Sequence, residues 1–61
     1  PDLSDNERMM CAYLKMNLST KEIAPLLNIS VRGVETIRYR LRKKFGLERE
    51  DSLTDYLSNK L

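Results

Sequence analysis

Apolar residues recur at helical spacing in four short stretches of this 61-residue chain, and polar residues punctuate the gaps between them. In the first stretch Met10, Cys11 and Leu14 lie three and four apart, downstream of Ser4-Asp-Asn-Glu7. Ser4 and Glu7 have the spacing of a capping box: the serine oxygen accepts from the Glu7 amide, and the carboxylate reaches back to the Ser4 amide. Leu3 stands where it can staple onto the first turn. The pattern predicts a helix over about 5–16, stopped by Asn17, a residue that tolerates positive φ.

Ser19 and Glu22 repeat the box, and Ile23, Ala24 and Leu27 form one apolar face, predicting a second helix over about 20–27. Pro25 lies inside it, removing a backbone donor and crowding the preceding turn, so a bend or a late start is expected. Asn28-Ile29 makes a turn with Ile29 tucked inward, and Ser30 caps a third helix over about 31–45. Val34, Ile37, Leu41 and Phe45 fall within a stripe about 80° wide on that helix. Gly46 ends it and Leu47 folds back as a hydrophobic contact. Asp51-Ser52 then opens a fourth helix over about 52–60, apolar at Leu53, Tyr56, Leu57 and, at its end, Leu61. No strand pattern and no internal repeat interrupts the series, so the expected fold class is all-α: four short helices around one core.

The chain is one domain at most, with little room for a deep catalytic cleft. No apolar run approaches the ~18 residues that span a bilayer, and nothing resembles a signal peptide. An opening Pro1-Asp-Leu-Ser reads as a piece of a longer protein. The single Cys11 cannot form an intramolecular disulfide and reads as a small buried apolar residue. With no His, the usual zinc set and the commonest general base are both missing. The expectation is a protein that is not an enzyme and has no metal or cofactor. Met9 and Met16 read either as partial core or as a docking surface.

Charge adds a direction to this picture. The net charge is only +2, yet between Arg32 and Lys44 there are six Lys or Arg against one acid, Glu35. From Glu48 to Asp55 there are four acids and one Arg. A basic middle and an acidic end suit a protein with one face made for a polyanion. On the third helix Arg32, Thr36, Tyr39, Arg40 and Lys43 point away from the apolar stripe. Glu35 and Arg42 lie on one flank and Lys44 on the other, while Arg38 sits near the core edge with its stem along apolar surface. A merely solvated helix would pair acids with bases at i,i+4, and acids are nearly absent here.

A short helix propping up a longer basic one is how a small domain presents side chains to a DNA major groove. Arg32 can pair bidentately with guanine, the Thr36 methyl can pack on thymine, and Tyr39 offers a phenol. Tyr39 has a plainer reading as an exposed ring packed on neighbouring arginines. Glu35 has three: an acceptor from cytosine N4, a charge that repels phosphate at wrong sites, or a favourable acid in the first turn. Arg40 and Lys43 are placed for phosphates, and Ser19, Thr20, Lys21 and Ser30 at the two helix starts add further donors.

These residues resemble the LuxR/GerE-type helix-turn-helix family, the DNA-binding output domain of many bacterial transcription regulators. The family opens Leu-Thr/Ser-x-x-Glu, matched by Leu3-Ser4-Asp-Asn-Glu7. It continues Gly-Leu-Ser-x-Lys-Glu-Ile-Ala, here Asn17-Leu18-Ser19-Thr20-Lys21-Glu22-Ile23-Ala24, then Leu-x-Ile-Ser, here Leu27-Asn28-Ile29-Ser30. Its Thr-Val-x-x-His and Arg-Lys-Leu-Gly appear as Gly33-Val34-Glu35-Thr36-Ile37 and Lys43-Lys44-Phe45-Gly46.

The resemblance implies a four-helix helix-turn-helix domain without a wing, with its third helix in the major groove. Base contacts then fall on Glu35, Thr36 and Tyr39 beside Arg32. It also implies pairing of two domains through the fourth helix, at Leu53, Tyr56, Leu57 and Lys60. The implied setting is a cytoplasmic regulator whose partner is double-stranded DNA, with RNA polymerase as a candidate further partner and no small-molecule cofactor. Three positions depart from the family. Gly33 replaces Thr and loosens the first turn, Ile37 replaces His with an apolar group, and Glu50 stands where Arg is frequent. The last shifts phosphate binding onto Arg38 and Arg40. Two other readings compete: a sigma-factor region 4 domain, which shares the Glu-Ile-Ala, Ile-Ser and Val core, and a helix-turn-helix that binds protein.

Overall fold

The computed structural model describes residues 2–48 and 51–59. It holds four helices, α1 (Asp5–Lys15), α2 (Thr20–Leu27), α3 (Val31–Phe45) and α4 (Leu53–Asn59), with no strand among the described residues. Each helix begins at a serine. Ser4 Oγ accepts from the Glu7 amide at 3.2 Å while Glu7 Oε1 accepts from the Ser4 amide at 2.8 Å. Ser19 and Glu22 repeat the pair at 3.2 and 2.7 Å. Ser30 Oγ accepts from the Gly33 amide at 3.0 Å, and Ser52 Oγ from the Asp55 amide at 3.2 Å. Each such cap contributes about 1 kcal/mol by satisfying an amide that has no intrahelical acceptor.

The first three helices also end alike. Asn17, Asn28 and Gly46 adopt the left-handed conformation, with φ of 63°, 58° and 68°. The amides of Leu18, Ile29 and Leu47 reach back to the carbonyls of Tyr13, Ala24 and Arg42 at 3.2, 3.0 and 2.9 Å. This is the Schellman closure, and its apolar follower residue packs onto the core in all three cases. One device, a serine start and a left-handed stop with an apolar anchor, thus produces three tight corners.

The corners fold the helices onto a core of Met10 and Leu14 from α1, Ile23, Ala24 and Leu27 from α2, Val34, Ile37 and Leu41 from α3, and Leu53 and Leu57 from α4. Each fully buried apolar side chain contributes roughly 1.5–3 kcal/mol. α2 packs chiefly on α3, and α1 touches all three other helices. The apolar stripe of α3 is therefore covered, and its opposite face is left outside.

Several expectations need correction. α1 ends at Lys15, with Met16 as the cap residue outside it. α2 starts on schedule at Thr20 and continues through Pro25. Pro25 and Lys21, whose carbonyl loses its helical donor, are both exposed, so water can satisfy that carbonyl. α4 begins at Leu53, one residue after its capping serine. Leu53 is 0% and Leu57 7% exposed, so these two expected pairing residues belong to the protomer's own core and offer no surface to a second copy. Tyr56 is half-buried, and Lys60, Leu61 and Glu50 lie outside the described residues. Met10 is core, whereas Met9 and Met16 are exposed. Cys11 is half-buried against the core, and that burial pushes its thiol pKa up.

Candidate nucleic-acid interface

Arg32, Glu35, Thr36, Tyr39, Arg40 and Lys43 are all exposed on α3, opposite buried Val34, Ile37 and Leu41. Arg32, Thr36, Tyr39 and Lys43 follow one another at steps of four, three and four, which aligns them along a single line of the helix. Arg38 is half-buried at the core edge, as its angular position requires. Ile37, in place of the family's His, is 8% exposed and belongs to the core.

The outward side chains have partners that the sequence did not reveal. The Thr36 hydroxyl donates to the Arg32 carbonyl at 3.1 Å, which leaves its methyl group and oxygen lone pairs to an approaching base. Tyr39 is 60% exposed, and the Lys43 ammonium lies 5.4 Å from its ring centroid. Tyr39 thus makes a cation–π contact with lysine, a neighbour that neither reading of the ring had named. Glu35 is the fifth residue of α3, and the first turn holds no acid. That corrects its reading as a first-turn acid, because the dipole effect fades beyond the first turn.

The two helix starts differ toward an anion. At α2 the Glu22 carboxylate takes the Ser19 amide, so a phosphate there meets a negative neighbour; the Ser19 hydroxyl hydrogen, half-buried Thr20 and exposed Lys21 remain. At α3 the third position is Gly33, which has no carboxylate to close a box over Ser30. The α3 start is thus the less screened of the two.

The six cations of α3 also divide. Arg42 donates to the carbonyls of Glu48, at 3.2 Å, and Asp51, closing the connection to α4. Lys44 donates to Glu7 Oε1 at 2.7 Å and to the Asp2 carbonyl at 2.8 Å. No described residue pairs with Arg32, Arg38 or Arg40. The Lys44 hydrogen bond, followed by that of the Ser4 amide, holds the Glu7 carboxyl below the usual glutamate range, against the upward effect of desolvation. Sequence reasoning placed Glu7 only in a cap. A signal was present: Glu7 shares the buried side of α1 with Met10 and Leu14, and a carboxylate there calls for a cation.

A shallow groove runs beside Tyr39, lined by Arg42, Lys43, Leu47 and Glu48. Among the described residues no three His, Cys, Asp or Glu cluster as metal ligands, and no helix is long and apolar enough to cross a membrane. A family model described as "Bacterial regulatory proteins, luxR family" matches residues 1–57. No curated protein and no solved structure matches the chain.

Proposed function

The chain belongs to the LuxR family of bacterial regulatory proteins, whose helix-turn-helix domains bind DNA in transcription regulation, and from that premise we propose that α3 reads sequence in the major groove. The family is one of DNA-binding regulators and not a class of enzyme. The observation that carries the reading is the outer face of α3, where six polar or charged side chains stand exposed with a single acid among them. Arg32, Glu35, Thr36 and Tyr39 read base edges from the N-terminal part of that face. Arg38, Arg40 and Lys43 hold phosphates, helped by Ser19, Thr20, Lys21 and Ser30.

Two copies pair through the outward side of α4, with half-buried Tyr56 rather than Leu53 or Leu57 at the contact. Pairing sets two half-sites about one helical turn, ~34 Å, apart. The setting is the cytoplasm, at promoters where RNA polymerase is the next partner. A fluorescence titration of labelled duplex at several salt concentrations tests the DNA reading. Lys21, Arg38, Arg40 and Lys43 together predict a log–log slope of about −3.6 per domain. Affinity independent of salt would overturn it.

A further inference from the structure

Lys44 lies one helical turn beyond Arg40 on α3, yet its ammonium is turned away to the start of α1. There it meets a carboxylate that is only 5% exposed, together with the Asp2 carbonyl. Glu7 has no other cation within ion-pairing distance among the described residues. Removing the lysine would strand a buried carboxylate, a larger loss than a solvated lysine–phosphate contact returns. Arg40, the i,i+4 neighbour of Lys44, is meanwhile exposed and unpaired among the described residues. Arg40 faces away from the apolar stripe and stays exposed, while Lys44, on the flank of that stripe, is held by a residue on another helix.

We propose that Glu7 competes with the DNA backbone for Lys44, keeping that ammonium off phosphate and so limiting the sequence-independent affinity of the domain. This rests on the DNA-binding reading above. A phosphate contact carries no sequence information, so every cation added to the backbone strengthens binding to all the competing DNA of a cell. Withholding one restrains that background and leaves the readers at the other end of α3 untouched.

Anisotropy titrations of a labelled mixed-sequence duplex of about 20 base pairs test this without a known operator, because each phosphate contact adds about 0.9 to the salt slope. Wild type and K44Q should show equal slopes, while K43Q loses about 0.9. Glu7 Oε1 accepts from both the Ser4 amide and Lys44. E7Q keeps a neutral acceptor for the cap while removing the charge that holds Lys44 against phosphate. Its slope should steepen, its affinity falling about threefold more than that of wild type between 50 and 200 mM salt. The double variant E7Q/K44Q should return to the wild-type slope, which separates a freed lysine from the mere loss of a negative charge. Circular dichroism establishes that each variant is folded. A K44Q slope shallower than wild type overturns the proposal, and so does folded E7Q with an unchanged slope. Should E7Q not fold, a folded K44Q with a shallower slope still overturns the proposal, and K44R, which keeps a cation for Glu7, should keep the wild-type slope. Wild type without salt-dependent binding overturns the DNA reading and this proposal together.

Discussion

The ring of Phe45 stacks on that of Tyr56, with centroids 4.9 Å apart and planes inclined by 29°. The pair ties the last turn of α3 to α4, beside the Arg42 bonds that close the same corner. Stacked pairs add about 0.5–1.5 kcal/mol to what their buried area supplies. Tyr56→Ala should therefore lower stability by about 2 kcal/mol in urea unfolding, since half a large side chain leaves the core edge as well. A loss near zero would mean that Leu53 and Leu57 alone hold α4.

Gly33 should be improvable. A Cβ at this position would meet Ile29 Cδ1 and Ser30 Oγ at 3.4 Å, ordinary contact, and the backbone there is helical. Gly33→Ala is expected to raise stability by about 0.5–1 kcal/mol, through lower entropy of the unfolded chain. Gly46→Ala should do the reverse by about 1 kcal/mol, because its φ of 68° is strained for any residue with a Cβ. Equal effects at the two glycines in thermal melts would contradict this account.

Glu7 predicts an acid-sensitive fold. Its carboxyl is held below the usual range, so the folded state binds its proton less readily than the unfolded chain does. The stabilisation is thus complete above the ordinary glutamate pKa and is lost as pH falls through the depressed value. Wild type should exceed Glu7→Gln in stability at pH 7, and the gap should close below about pH 4. A gap that persisted unchanged in acid would exclude the charge as its source.

Base reading by α3 separates into groups that can be removed singly. Thr36→Val keeps a methyl and loses the hydroxyl that bonds Arg32, so a thymine preference should survive it, whereas Thr36→Ala should relax it. Tyr39→Ala should relax the preference at its own position. Lys43→Ala should weaken binding to every sequence by removing a phosphate contact, and should disturb preference less than Tyr39→Ala does, through its place over the Tyr39 ring alone. Selection of bound duplexes from a random pool measures each outcome. Retained preference in Tyr39→Ala, with altered preference in Lys43→Ala, would invert the face assignment.

Much of this was legible because caps and periodicity are local. The bounds of α2 and α3 follow from serines, apolar spacing and a terminal Gly or Asn, and the wheel of α3 placed its exposed and buried residues correctly. The local corrections were small, a residue at the end of α1 and the start of α4 and the place of Glu35 beyond the first turn, whereas the larger one was tertiary. Leu53 and Leu57 carry an apolar pattern that suits a partner's surface or the chain's own core equally well, and the packing of α4 chose the core.

The sequence by itself determined four helices, their corners and a basic outer face on the third, since each depends on contacts within a few residues along the chain. Only the tertiary structure decided which cations that face keeps. Lys44 and Glu7 are 37 residues apart in sequence, and Arg42 reaches across the loop to Asp51. Such pairings form because the packed core brings distant backbone together, and a buried carboxylate then takes whichever cation is in reach.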